Sequence, residues 1–322
     1  MPNESDDKQR FCPGEEHIRI SEAICLGRRR ANFRKCPGCQ FNDDERGQTP
    51  YYAPSGPAGV RPPPRAVLEM EKRDMIEKVF KAYDVRATVP DPLNEDVAWR
   101  IGNATAQLLR TTLTGYNRSD SKMNTLIVGR DMRKHSRKLC HAFMEGAAAV
   151  GTPVVDIGLI DTSQIYFATN YMPCCGGVQT TASHNPANYN GFKICGAKGK
   201  PIGAETGLKE IERIARAISR HDVPETIPIR TLDLSEPYRN YLRKFMRTPR
   251  PLKVVIDASN GMAGRWFPII FNGAPNLTII PLNFDHDGDF AHPPNPLVPA
   301  NLQQLQAAVR DNHADFGACF DG

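Results

Sequence analysis

From Ala66 onward, short apolar runs alternate with amphipathic stretches, and that alternation restricts the fold to α/β units with mostly parallel strands. The apolar run over 125–128 closes on Gly129 and reads as a buried strand. Further strands are expected at 153–157, 177–181, 191–195, 252–256, 277–283 and 316–320, with 81–86 extended. Between them the helical period recurs. The stretch 95–113 puts Val97, Ile101, Ala104 and Leu108 on one face, and 205–220 does the same with Leu208, Ile211, Ile214, Ala215 and Ile218. Other helices are expected at 66–80, 135–150, 163–171, 237–247, 260–271 and 302–312.

The chain divides by composition. Residues 1–47 hold four of the nine cysteines, and 48–65 form a Pro/Gly-rich linker with almost no periodicity. Two α/β domains follow, over 66–225 and 226–322. No stretch reaches the roughly 20 apolar residues of a membrane span, and the polar start MPNESDDKQR lacks the apolar core of a signal peptide. The reading places the protein in the cytoplasm and away from membranes. The net charge of +5, with acids and bases interleaved, suits small anionic substrates and does not call for nucleic acid.

Cys12, Cys25, Cys36 and Cys39 can close a tetrahedral structural Zn²⁺ site, which would supply the folding energy a small module lacks. The alternative is an extension with unrelated thiols. Arg28, Arg29, Arg30, Arg34 and Lys35 read as a solvated basic face of this module, with contact to nucleic acid or an acidic partner as the alternative. Cys140, Cys174, Cys175, Cys195 and Cys319 lie in apolar stretches and read as packing thiols.

The chemistry concentrates in Thr180–Lys193. A β-branched strand end runs into Ser183, and Asn185, Pro186, Asn188, Asn190 and Gly191 make a tight loop. Ser183 is followed directly by the titratable His184 and ten residues later by Lys193. A serine that accepts and returns a phosphoryl group needs exposure, positive charge nearby and a proton shuttle. On spacing alone, a polar loop with a capping serine fits equally well.

The segment resembles the active-site loop of the α-D-phosphohexomutases, the family of phosphomannomutases and phosphoglucomutases. Thr181, Ser183, His184, Asn185, Pro186, Tyr189, Asn190, Gly191, Phe192 and Lys193 stand in register with that loop. The resemblance makes Ser183 the phosphorylated serine, with His184 and Lys193 assisting proton transfer and phosphate binding. Lys81-Ala82-Tyr83-Asp84-Val85-Arg86 looks like the family's opening motif, whose Tyr83 and Arg86 face the substrate. Arg86 then acts by charge, since a guanidinium is a poor base at neutral pH. Ala87 stands where the family has Gly, which would cost about 1 kcal/mol if the backbone there needed positive φ.

Val128-Gly129-Arg130-Asp131-Met132-Arg133 is similar to the family's GRDxR segment, in which Asp131 and Arg133 are read as fixing loops. Asp257 to Gly264 resembles the turn into the second domain's first helix. Phe290 to Leu297 resembles its His-Pro connection. Asp285-His286-Asp287-Gly288-Asp289 opens like a calcium loop, yet Pro296 stands where such a loop needs its Glu.

The resemblance makes Asp321 the first of three aspartates that bind Mg²⁺; with Ser183 it gives an incomplete metal site that would hold the ion poorly. It covers residues 75–322, the first domain and most of the second, so the chain reads as a fragment of a Mg²⁺-dependent mutase acting on a hexose phosphate. A non-catalytic binding or regulatory protein with a zinc module and a degenerate mutase part is the alternative.

Overall fold

The computed structural model describes residues 9–12, 15–21, 75–111, 123–220, 229–248 and 250–322. The chain forms two compact units, Met1–Met70 and Glu71–Gly322. In the first, β1 (Gln9–Cys12) pairs antiparallel with β2 (Glu15–Ser21), Gln9 opposite Ser21. Cys25, Cys36 and Cys39, the linker at 48–65 and the start of the helix expected at 66–80 lie outside the described residues.

In the second unit the described residues open with a helical stretch over 75–79 and form two sheets. The larger comprises β3 (Val85–Thr88), β4 (Leu126–Arg130), β5 (Val154–Leu159), β6 (Gly176–Thr180), β7 (Tyr189–Gly196) and β8 (Arg230–Thr231). Their order is β3-β7-β6-β4-β5-β8. Strands β6, β4, β5 and β8 run parallel, whereas β7 is antiparallel to β6 and to β3. The reversal follows from chain length. Residues 181–188 join β6 to β7, too few for a parallel crossover, which takes about a dozen or more. The Ser183 loop is therefore a hairpin connection at one end of a mixed sheet.

Helices cover both faces. One face takes α1 (Glu95–Thr111), α2 (Ser136–Ala148) and α4 (Leu208–Ala217), sharing a core with Val85, Leu126, Val128, Val178 and Phe192. The other takes α3 (Thr162–Tyr171), against Ile127, Val155 and Ile157. Leu126 and Val128 thus point one way and Ile127 the other, and all three are fully buried.

Helices α1 and α2 approach closely through glycine. A Cβ on Gly102 would lie 2.0 Å from the Phe143 carbonyl oxygen, and one on Gly146 would lie 1.9 Å from that of Trp99. Alanine is the better helix former by about 1 kcal/mol, but overpacking costs about 1–3 kcal/mol. Gly146→Ala is therefore expected to destabilise the protein, read as a lower urea midpoint. An unchanged or raised midpoint would contradict this packing.

The smaller sheet is parallel, in the order β10-β9-β11, from β9 (Leu252–Asp257), β10 (Leu277–Leu282) and β11 (Phe316–Cys319). Helices α5 (Ser235–Arg243), α6 (Met262–Phe271) and α7 (Gln303–Asp311) accompany it. Ala87 lies in extended β3 opposite Asn190, is buried, and is not at positive φ, so alanine costs nothing there. Cys140, Cys174, Cys175 and Cys195 are buried free thiols. Burial pushes the first three up to about 12 and Cys195 to about 11, as expected of packing thiols. Among the described residues no helix is long and apolar enough to cross a membrane.

Candidate active site

The hairpin loop after β6 is shaped by its own polar groups. The Thr181 hydroxyl accepts from the Ser183 backbone N–H at 3.0 Å, and Asn185 N–H donates to the Ala182 carbonyl at 3.1 Å. Ser183 is held at φ 53°, in the left-handed region. A side-chain-bearing residue there costs on the order of 1–2 kcal/mol and persists only where its surroundings impose it.

Those surroundings come chiefly from Arg133, just past the C-terminal end of β4. Its Nη1 donates to the Pro186 and Tyr189 carbonyls at 2.7 and 3.2 Å, and its Nη2 to those of Ser183 and Asn185, both at 2.7 Å. One planar fork thus gathers four loop carbonyls, which a lysine ammonium cannot do in that geometry. Arg133 is 2% exposed and Asp131 1%. Their contact, Nε to Oδ2 at 3.3 Å, is an ion pair without a well-formed hydrogen bond. Burial pushes the Asp131 carboxyl above its ordinary value, against the pull of Arg133 and the Ser136 hydroxyl, and pushes the Arg133 guanidinium down. Ser136 Oγ donates to Asp131 Oδ1 and accepts from Asn190 Nδ2 at 2.9 Å, which secures the far side of the loop.

The half-exposed Ser183 hydroxyl points outward and donates to Asp321 Oδ2. Asp321 stands just beyond the C-terminal end of β11, whose register on β9 is continued by Phe320 N–H donating to the Asp257 carbonyl at 2.9 Å. The turn at Ser259 and Asn260, both at positive φ, lies against this end. A Cβ on Gly261 would come within 2.6 Å of the Asp321 carbonyl oxygen, so glycine is what lets the turn approach. The serine and the aspartate, 138 positions apart, meet at the C-terminal ends of two sheets.

Arg86 reaches the loop from β3. Its Nη1 donates to Asn185 Oδ1 at 2.7 Å, and its Nη2 pairs with Asp84 at 2.5 Å. Arg86 lies opposite Gly191 on β7, and Lys193 follows two residues later on the same face. Both line a cleft of about 570 Å³ together with Lys81, Tyr83, Asp84, Tyr166 and Pro201. The turn over 81–84, closed by Lys81 N–H to the Asp84 carbonyl at 2.9 Å, presents Tyr83 at 85% exposure.

Of the residues singled out in the sequence, Ser183 and Asp321 touch, and Tyr83, Arg86 and Lys193 share the cleft. Ser183 does not line that cleft, and its hydroxyl meets Asp321 and not Lys193. His184 is half-buried beside Ser183. Cys12 ends β1, and the other three cysteines fall outside the described residues. Sequence reasoning missed Asn185 as the partner of Arg86, and Lys81 and Tyr166 in the cleft lining. Lys81 could have been found from its place in the opening motif; Tyr166 carries no signal.

Hard oxygens from Ser183 and Asp321 are the donors Mg²⁺ prefers, but it takes about six. Among the described residues no group of three His, Cys, Asp or Glu converges. Two such donors among the described residues do not make a complete magnesium site.

Residues 77–222 match the family model for the phosphoglucomutase/phosphomannomutase alpha/beta/alpha domain I, and residues 236–322 that for domain II. A phosphomannomutase of Escherichia coli is 37% identical over 257 residues, 76% of this chain and 53% of that protein. A protein named for phosphohexose mutases, from Xanthomonas campestris pv. campestris, is 37% identical over 248 residues, 76% of this chain and 52% of its own length. The crystal structure of a phosphoglucomutase/phosphomannomutase family protein from Burkholderia thailandensis superposes with a TM-score of 0.67 at 31% identity, covering 76% of this chain and 53% of that one. The chain spans about half the length of the relatives it matches. With both domain models matched in order over well over half its length, this chain belongs to the phosphoglucomutase/phosphomannomutase family, of which it carries domains I and II.

Proposed function

We propose that these two domains form the phosphoryl-carrying half of a phosphosugar mutase, with Ser183 as the carrier and a hexose phosphate as substrate. The observation that carries this reading is the outward Ser183 hydroxyl, fixed in a left-handed turn and set against Asp321. A merely capping serine would turn its oxygen toward backbone N–H groups of its own loop.

In the loading step, Ser183 Oγ attacks the phosphorus of a hexose bisphosphate. The bond from Oγ to phosphorus forms as the bond from phosphorus to the sugar oxygen breaks. The serine proton leaves by way of Asp321 Oδ2, the acceptor it already faces, and the departing sugar oxygen takes up a proton, leaving a hexose monophosphate. His184 stands beside the serine as the other candidate for assisting these transfers. In the return step the free hydroxyl of a hexose monophosphate bonds to the phosphorus as the bond from phosphorus to Ser183 Oγ breaks, which regenerates a hexose bisphosphate. When Ser183 is next loaded from the other position of that bisphosphate, the phosphoryl group has changed position with no net oxidation or hydrolysis. Catalysis of this kind rests on positioning and charge. Arg86 offers charge one hydrogen bond from Asn185, while Lys193 and Tyr83 offer a cation and an aromatic face to the sugar phosphate in the cleft. Mg²⁺, when bound to the Asp321 carboxylate and the phosphorylated Ser183, would neutralise charge on the group in transfer.

The relatives named as phosphomannomutases make mannose phosphate the first substrate to try. A structural Zn²⁺ on Cys12, Cys25, Cys36 and Cys39 and a cytoplasmic location complete the proposal. The test is to incubate the protein with a hexose bisphosphate and Mg²⁺ and map the phosphate by peptide mass spectrometry. Phosphate on Ser183 is expected. Phosphate confined to another residue, or none, would refute the assignment.

A further inference from the structure

The Arg133 fork is covered by a residue from the other domain. The Arg133 guanidinium carbon lies 5.1 Å from the centroid of the Phe290 ring. Its edge is spent on four carbonyls, so only its faces remain, and an aromatic ring attracts a cation's face without competing for its N–H groups.

Phe290 lies in the connection between β10 and α7, and that connection is fastened on both sides. Toward domain I, Lys134 Nζ meets Asp289 at 2.5 Å, and Gly288 sits close enough to Lys134 and the Met132 carbonyl that a Cβ would lie 3.0–3.1 Å from them. Toward domain II, Asn260 Nδ2 donates to the Asp285 carbonyl at 2.9 Å, and Ala291 N–H donates to Asn260 Oδ1 at 2.8 Å. The ring also borders the serine–aspartate pair. A Cβ on Gly322, next to Asp321, would lie 3.0 Å from Phe290 Cε1 and 3.1 Å from the Ser183 carbonyl oxygen.

We propose that Phe290 is a positioning residue for phosphoryl transfer: its ring seals the Arg133 fork and thereby sets the Ser183 hydroxyl against Asp321. This inference rests on Ser183 being the carrier. Without the ring, water reaches the guanidinium face and competes for the four carbonyls. The loop then loosens about its left-handed turn, and the hydroxyl leaves its place. Misplacement by about 1 Å costs on the order of a hundredfold in rate.

The experiment compares wild type with Phe290→Ala, Phe290→Leu and Phe290→Tyr by two readouts. The first is hydrogen–deuterium exchange of the peptide over 181–189, with the strand peptide over 126–130 as internal control. The second is the rate of Ser183 phosphorylation by a hexose bisphosphate. Phe290→Ala and Phe290→Leu are expected to speed exchange in 181–189 alone and to slow phosphorylation by roughly ten- to a hundredfold. The half-saturating bisphosphate concentration stays unchanged, and Phe290→Tyr, which keeps the aromatic face, behaves as wild type. Unchanged exchange in Phe290→Ala, faster exchange across both peptides, or equal losses in the Leu and Tyr variants would overturn the proposal. Absence of phosphate on wild-type Ser183 would instead overturn the carrier reading, while the exchange comparison still decides whether Phe290 holds the loop.

Discussion

Ser183→Ala is expected to lower phosphoryl acceptance from a hexose bisphosphate by roughly 10⁴-fold or more, the scale seen when a nucleophile is deleted. The substitution removes only an oxygen. Alanine keeps a Cβ, so the backbone at φ 53° carries the same strain as before, and the loss can be ascribed to chemistry. The Thr181 hydroxyl in the same loop cannot substitute. Thr181 is buried and its oxygen already accepts from the Ser183 N–H. Ser183→Gly is the informative companion. It deletes the same oxygen and also relieves the left-handed strain, so it should raise stability by about 1 kcal/mol while losing acceptance equally. Acceptance retained in either variant would remove Ser183 from its role.

Arg133→Ala is expected to destabilise the protein by about 3–5 kcal/mol, because it leaves Asp131 as an uncompensated buried carboxylate. Four loop carbonyls lose their donor at the same time. At roughly 2–4 °C per kcal/mol for domains of this size, the melting midpoint should fall by about 6–20 °C. Arg133→Lys keeps a charge but not the fork, and should fall between. The variant also widens the pH dependence that burial of Asp131 already gives the protein. Burial already holds the Asp131 carboxyl above its ordinary value, and removing Arg133 removes the strongest opposing pull. The folded state then binds a proton that the unfolded state releases from about pH 4 upward. Stability of Arg133→Ala therefore declines as pH rises above about 4, until the folded carboxyl has also ionised. A denaturant midpoint within error of wild type would contradict the assigned role of the fork.

The alternation of apolar runs and helical periods placed the buried strands β4, β5 and β6, because both faces of the larger sheet are covered there. Strands β1, β2 and the exposed two-residue β8 carry no such run, and the segment expected to be extended over 81–86 turns at 81–84 before β3 begins. The direction of β7 was legible too, in the short link from Thr180 to Tyr189, but only when the link is counted against what a crossover needs. The Ser183 loop stood out because its turn residues and its titratable neighbours fall together. Its supports were legible only in part: Asp131 and Arg133 read as fixing loops, without the sequence saying which. Arg133 acts on backbone carbonyls, which carry no residue-type signature, so its sequence shows a buried-arginine motif and not its targets. Phe290 works through a cation from another domain, and an aromatic in a Pro-rich connection looks the same whether it covers a guanidinium or plain solvent-facing backbone. That Lys193 joins Arg86 in the cleft depends on which face of β7 the lysine takes, set by its register on β3 and β6.

The most direct measurement is a chase. The protein is loaded with radiolabelled phosphate from a hexose bisphosphate, freed of small molecules, and mixed with unlabelled hexose monophosphate. Label leaving Ser183 and appearing in hexose bisphosphate is the result this account predicts. Label that stays on the protein, or emerges only as inorganic phosphate, would contradict it.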